Sequence, residues 1–142
     1  MQHAINLAKR AEMLGEVPVG AVLIYHDEVV GEGYNQPIAL HDPTAHAEII
    51  ALRQGGQVLG NYRMLDTILY VTLEPCTMCV GAMVQARISR LVFGALDPKA
   101  GAVISCVNGL SMLHFNHRVV WEAEVLSQEC GQLLQGFFKK RR

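Results

Sequence analysis

Apolar runs of strand length alternate with segments of helical period along almost the whole chain, and no other feature restricts the fold as much. Ile5, Ala8, Ala11 and Leu14 recur at helical spacing, and Gly15 is placed to close that helix. Val17 to Tyr25 is apolar on both faces, as a strand inside a sheet must be. His26-Asp27 predicts a tight turn into a second strand, Val29 to Asn35, so the two form a hairpin. A polar stretch with two prolines follows, Gln36 to Thr44. A helix is expected from Ala45 to Gln54, capped by Thr44 and ended by Gly55-Gly56. Ile68 to Leu73 reads as a strand, Thr77 to Ala86 as a helix and Leu91 to Ala95 as a strand. Residues 97–117 are glycine-rich and read as a long loop with room for one short helix. Arg118 to Trp121 is the last strand expected. Leu126, Cys130, Leu133, Leu134 and Phe137 mark an amphipathic terminal helix. Five strands alternating with helices predict an α/β layered fold with a largely parallel sheet, begun by an antiparallel hairpin. The 142 residues carry no repeat or linker, so residues 1–142 are expected to form a single domain.

Composition narrows the class further. A chain that is 51% hydrophobic and 18% charged is neither disordered nor a fibrous repeat. No apolar run approaches the ~18 residues of a membrane span. The opening Met-Gln-His-Ala-Ile-Asn lacks the apolar stretch of a secretory signal. Four cysteines are too few for a disulfide scaffold. These features predict a cytoplasmic protein with no membrane partner. The formal net charge of −1 hides an asymmetry, because four of the 12 Lys and Arg residues are the last four of the chain. Without Lys139, Lys140, Arg141 and Arg142, eight bases face 13 acids. A polyanion could bind at that end, although cations are also favoured at a helix C-terminus by the helix dipole alone.

Three residues separate themselves from the four cysteines and six histidines. Cys76 and Cys79 follow Pro75 at i, i+3 spacing, which puts both thiols on one face of a starting helix. The positive end of the helix dipole favours thiolate there. Alone, a CxxC pair could be a redox disulfide, half of a structural zinc site or a chance core pair. Cys106 and Cys130 form no second pair, and both read as packed small hydrophobes. His46 supplies a third ligand of zinc type, and three protein ligands leave one tetrahedral position for water. Glu48, two residues on, could serve as a general base beside that water, or as an ordinary first-turn acid. In a continuous helix His46 and Glu48 would point about 200° apart, so they are expected to approach an ion from different sides.

The sequence His46-Ala47-Glu48 with Pro75-Cys76-Thr77-Met78-Cys79 matches the signature of zinc-dependent base deaminases. Val17 to Leu23, His41 to Glu48, Tyr70 to Cys76, Asn116 to Val119 and Phe137 to Arg141 resemble bacterial tRNA-specific adenosine deaminases, and the likeness covers nearly the whole chain. It implies a three-layer α/β/α cytidine-deaminase-like fold with a five-stranded mixed sheet. It implies Zn²⁺ on His46, Cys76 and Cys79, no organic cofactor, and Glu48 shuttling protons as water converts the wobble adenosine of a tRNA anticodon loop to inosine. Asn35 and Asp97 would contact the target nucleotide, although both are also ordinary turn residues. Phe138, Lys139, Lys140, Arg141 and Arg142 would meet the RNA of an anticodon stem-loop, while Phe137 belongs to the core. A homodimer is expected, since Met78, Val80, Met83 and Val84 give helix 77–86 more apolar surface than one face needs. Two alternatives remain open, a deaminase of free guanine or cytosine and a non-catalytic zinc-stabilised tRNA-binding module.

Overall fold

The computed structural model describes residues 1–112 and 114–142. The elements run α1 (Gln2–Met13), β1 (Gly20–Tyr25), β2 (Glu28–Tyr34), α2 (Pro37–Leu40), α3 (Ala47–Leu59), β3 (Thr67–Leu73), α4 (Thr77–Ala86), β4 (Arg90–Ala95), β5 (Val120–Glu122) and α5 (Ser127–Lys139). A 3₁₀ turn at Gly109–Ser111 interrupts the long loop before β5. The strand order is β2-β1-β3-β4-β5. Residues Ala21 and Leu23 of β1 face α3, whereas Val22 packs on Ala4 and Leu7 of α1. The sheet therefore lies between α3 and α4 on one side and α1 and α5 on the other, in three layers. The larger core, with Leu23, Leu69, Val71, Met83, Ile88 and Phe93, fills the α3–α4 side.

The five-stranded sheet is mixed, as expected, with β1 alone running against the other four strands. The β1–β2 and β1–β3 pairings are antiparallel, and β3–β4 and β4–β5 are parallel. The reason lies in the connection through α3. It carries the chain from β2 past β1, so β3 runs in the direction of β2 and opposite to the strand beside it. The hairpin forms as predicted, with His26 and Asp27 both at positive φ (46° and 66°), the conformation a two-residue turn between twisted strands requires.

Three helix boundaries differ from expectation. Helix α3 passes through Gly55-Gly56 and ends at Gly60, where φ is +65°. Gly55 is buried for packing, since a Cβ there would lie 2.3 Å from Leu23 Cδ2. The cap of α3 is His46 rather than Thr44. Thr44 is turned back onto Asp42, donating to Oδ1 from its backbone N–H at 2.8 Å and its hydroxyl at 2.7 Å. At the other end of the chain, Leu126 stands outside α5 at φ +52° and is exposed, so the buried stripe of that helix rests on Cys130 and Phe137. The last strand spans 120–122 rather than 118–121.

Gly31 and Gly33 set how close α3 comes to the sheet. A Cβ on Gly31 would lie 2.2 Å from the Ala51 carbonyl oxygen, and one on Gly33 would lie 2.1 Å from that of Ala47. With no side chain between them, the backbone of α3 rests on β2. Its first turn is thereby held beside Asn35, at the end of that strand.

Candidate metal centre and active site

His46 and Cys76 occupy equivalent places, each the N-cap of a helix in extended backbone conformation. Their carbonyls accept the first helical bonds, from Ile50 at 3.1 Å and Val80 at 2.9 Å. Neither side chain caps its own helix. Both are free to turn toward the space between the two helix starts, where Cys79 joins them from the first turn of α4. His46 Nδ1 lies 3.6 Å from Cys76 Sγ and 3.6 Å from Cys79 Sγ. All three ligand atoms fall within 4.8 Å of one another. Zinc bonded to sulfur at about 2.3 Å and to nitrogen at about 2.0 Å, at a tetrahedral angle, separates the two donors by about 3.5 Å. The donor set and its spacing therefore fit Zn²⁺. Two helix N-termini pointing at the site favour the anionic sulfurs it needs.

The three groups share protons. Cys79 donates to Cys76, which together with His46 draws the Cys76 thiol down to about 4 against the opposing effect of burial. The same bond to Cys76, with burial, pushes the Cys79 thiol far up. His46 is raised, first by its bond to Cys76. A cation that takes both sulfurs displaces these protons.

Glu48 is buried, at 4% exposure. Burial pushes its carboxyl up to about 7, against its own backbone hydrogen bond and the charge of His46. His46 lies outside the helical turn as its N-cap, and the Glu48 carboxyl on the first turn hydrogen-bonds Cys79 and feels the charge of His46. Asn35 sits where the chain leaves β2, and its Oδ1 accepts the N–H of Ala47 at 2.8 Å, between His46 and Glu48. That bond fixes the amide, and among the described residues its NH₂ end makes no side-chain hydrogen bond.

The other sequence candidates divide between two places. Asp97, Phe138, Lys139 and Arg142 line one cavity of about 710 Å³, together with Lys99, Val17 and Leu73. Lys140 and Arg141 point elsewhere. Lys140 Nζ is 3.7 Å from Glu12 Oε1. Arg141 donates to the Gly15 carbonyl at 3.3 Å and covers the ring of Phe137 at 3.7 Å. Phe137 is buried, as expected for a core residue, and Phe138 is half exposed. Cys130 is buried beneath Gly94, but Cys106 is exposed and donates to the Pro98 carbonyl, contrary to its reading as a packed hydrophobe.

Two buried carboxylates escaped the sequence reading. Glu16, 1% exposed, accepts the N–H groups of Ile38 and Ala39 and so caps α2, which lies in the stretch read as irregular. Glu74, 2% exposed, accepts from the loop after β4. The available signal was an acid at the very end of an apolar run, immediately before Pro75.

Residues 1–95 match the family described as the cytidine and deoxycytidylate deaminase zinc-binding region. A tRNA-specific adenosine deaminase of Haemophilus influenzae is 53% identical over all of this chain and 83% of its own length. One of Bacillus subtilis is 42% identical over all of this chain and 88% of its own. A solved structure from a study of A-to-I editing by tRNA:A34 deaminases superposes with a TM-score of 0.92 at 42% identity, covering 94% of this chain and 97% of that one. Among described residues, no helix is long and apolar enough to cross a membrane. By sequence over its full length and by fold, this chain belongs to the zinc-dependent cytidine and deoxycytidylate deaminase family, in the branch of tRNA-specific adenosine deaminases.

Proposed function

We propose that this protein hydrolyses the 6-amino group of the wobble adenosine in a tRNA anticodon loop, consuming water and releasing inosine and ammonia. The observation that carries the reading is the buried Glu48 carboxyl bonded to Cys79, beside the cluster of His46, Cys76 and Cys79 at two helix starts. The relatives named for tRNA adenosine deamination favour that substrate.

His46, Cys76 and Cys79 hold the zinc, which supplies water activation when bound. Glu48 takes the proton from the attacking water, passes it to N1 of the purine and then protonates the departing amine. Its burial favours this, because a carboxyl raised to about 7 can both accept and release a proton near neutral pH. The Asn35 amide, held by Ala47, presents its donor end to the base. A base stacked inside RNA cannot reach this site, so the adenosine must be splayed out of a loop. Asp97, Phe138, Lys139 and Arg142 line one cavity and contact flanking nucleotides there. The bacterial relatives named for tRNA deamination favour the cytoplasm as its place of work.

A second copy of the chain packs on the outer face of α3 and α4. There a groove of about 690 Å³ is lined by Ile49, Leu52, Tyr62, Met64, Ala82 and Ala86. The residues that led helix 77–86 to be read as overly apolar do not line it: Val80, Met83 and Val84 are buried in the core of the single chain, and Met78 packs against that core.

Incubation with an anticodon stem-loop carrying adenosine at the wobble position should yield inosine, whereas free guanine and cytosine should release no ammonia. Glu48→Gln should keep its zinc and lose at least about 100-fold in turnover. Zinc-loaded protein that leaves the stem-loop unchanged, or a Glu48→Gln enzyme of near-normal rate, overturns the assignment.

A further inference from the structure

We infer that Glu74 is a positioning residue for the substrate pocket, acting through the loop that carries Asp97. The inference rests on the proposed role of Asp97 in holding the target nucleotide.

Glu74 directly follows β3, two residues before Cys76, with its carboxylate in a cage of donors. Oε1 accepts the N–H of Asp97 at 3.1 Å and the hydroxyl of Ser105. Oε2 accepts the N–H groups of Val103 at 3.1 Å and of Ile104 and Ser105 at 2.9 Å. Among the described residues no Lys, Arg or His pairs with it. Its charge is therefore balanced by backbone dipoles, as in an anion nest. Every partner is a donor, so only an acceptor fits, and a glutamine would turn its NH₂ against N–H groups.

The loop is wrapped tightly around this group. A Cβ on Gly101 would lie 2.3 Å from Glu74 Cδ and 2.5 Å from both oxygens. Residues 97–105 contain no helix or strand and depend on such tertiary bonds for their shape. The carboxylate thus closes the loop by joining its start at Asp97 to its end at Ser105. Beyond it, Glu74 N–H donates to the Ala95 carbonyl and Ala102 N–H to the Pro75 carbonyl, both at 2.8 Å. One side chain thereby sets the distance between the strand leading to the metal ligands and the Asp97 wall of the cavity. Its chemistry is that of support, since all the lone pairs it directs into the loop are occupied.

The test is a double-mutant cycle in the zinc-loaded full chain, with the anticodon stem-loop as substrate. Glu74→Gln should raise KM about tenfold while zinc content and kcat change far less. In an Asp97→Ala background the same substitution should change KM by less than about twofold, because the residue it positions is gone. Ser105→Ala, which removes one donor and leaves the carboxylate, should show the same coupling at smaller size and serves if Glu74→Gln does not fold. Effects of Glu74→Gln and Asp97→Ala that simply add, an unchanged KM in Glu74→Gln, or loss of zinc from it would each overturn the inference. An Asp97→Ala enzyme of normal KM would instead remove the role of Asp97 itself.

Discussion

Asp42 illustrates how much a single polar side chain contributes to the approach to the site. Its Oδ1 takes both the hydroxyl and the N–H of Thr44, two residues before His46. The Thr44 hydroxyl and N–H hold its carboxyl below the ordinary value, with a smaller contribution from Arg53. The charged form is the one bonded in the folded chain, so this turn is stabilised above the ordinary aspartate range. The contribution is lost as pH falls through the lowered value. Carboxyl chemical shifts followed by NMR should place the Asp42 midpoint below that of a free aspartate, and Thr44→Ala should move it back up. An Asp42 midpoint that ignores Thr44→Ala would show the turn to be held by other means. The same economy of local bonds governs Asn35, whose oxygen is committed to Ala47 N–H.

At the scale of the element, α5 has two jobs that the basic run alone does not separate. Lys139 and Arg142 face the cavity with Asp97, and Lys140 and Arg141 fasten the helix end to the α1–β1 turn at Glu12 and Gly15. Only Lys139 lies within α5, while Lys140 caps it and Arg141 and Arg142 follow it, so the run of four cations leaves the helix and is divided between two places. Replacing Lys139 and Arg142 by alanine should weaken stem-loop binding and reduce the salt dependence of the association by about one counterion per phosphate contact. Replacing Lys140 and Arg141 should instead lower stability by about 1 kcal/mol, mostly from the lost cover over Phe137, and leave RNA affinity alone. Fluorescence anisotropy at several salt concentrations, with thermal melts, separates the two pairs. Equal RNA defects in both would show that the fastening is not what Lys140 and Arg141 contribute.

For the whole molecule, the groove between the outer faces of α3 and α4 bears on assembly. Tyr62 at its rim is 70% exposed and Val58 nearby is 62% exposed, which is a large apolar exposure for a single chain. A dimer burying this face removes that surface from water, and a stable one needs upward of about 1,000 Å². Sedimentation should give twice the chain mass of 15.6 kDa. Tyr62→Glu should raise the dimer dissociation constant at least about tenfold, because a charge would be placed in an apolar contact. A protein that sediments as a monomer at tens of micromolar would rule this arrangement out.

The sequence by itself determined the alternation of elements and the three metal-type donors, because both are properties of local chain. Hydrophobic period distinguishes strand from helix, and Cys76 and Cys79 are neighbours along one helix start. The hairpin turn and the buried stripe at Cys130 and Phe137 are local in the same sense. Tertiary structure decided what depends on distant partners. The reach from His46 to the sulfurs spans thirty residues of chain and is set by α3 lying on the bare backbone of Gly31 and Gly33. The end of α3 at Gly60 rather than Gly55 followed from what lies beside Gly55, which no local rule contains. The direction of β3 followed from where its connection crosses the sheet. The work of Glu16 and Glu74 was hidden for the same reason. A carboxylate buried among N–H donors is chosen by groups that come from elsewhere in the chain, and their identity exists only once the chain has folded around it.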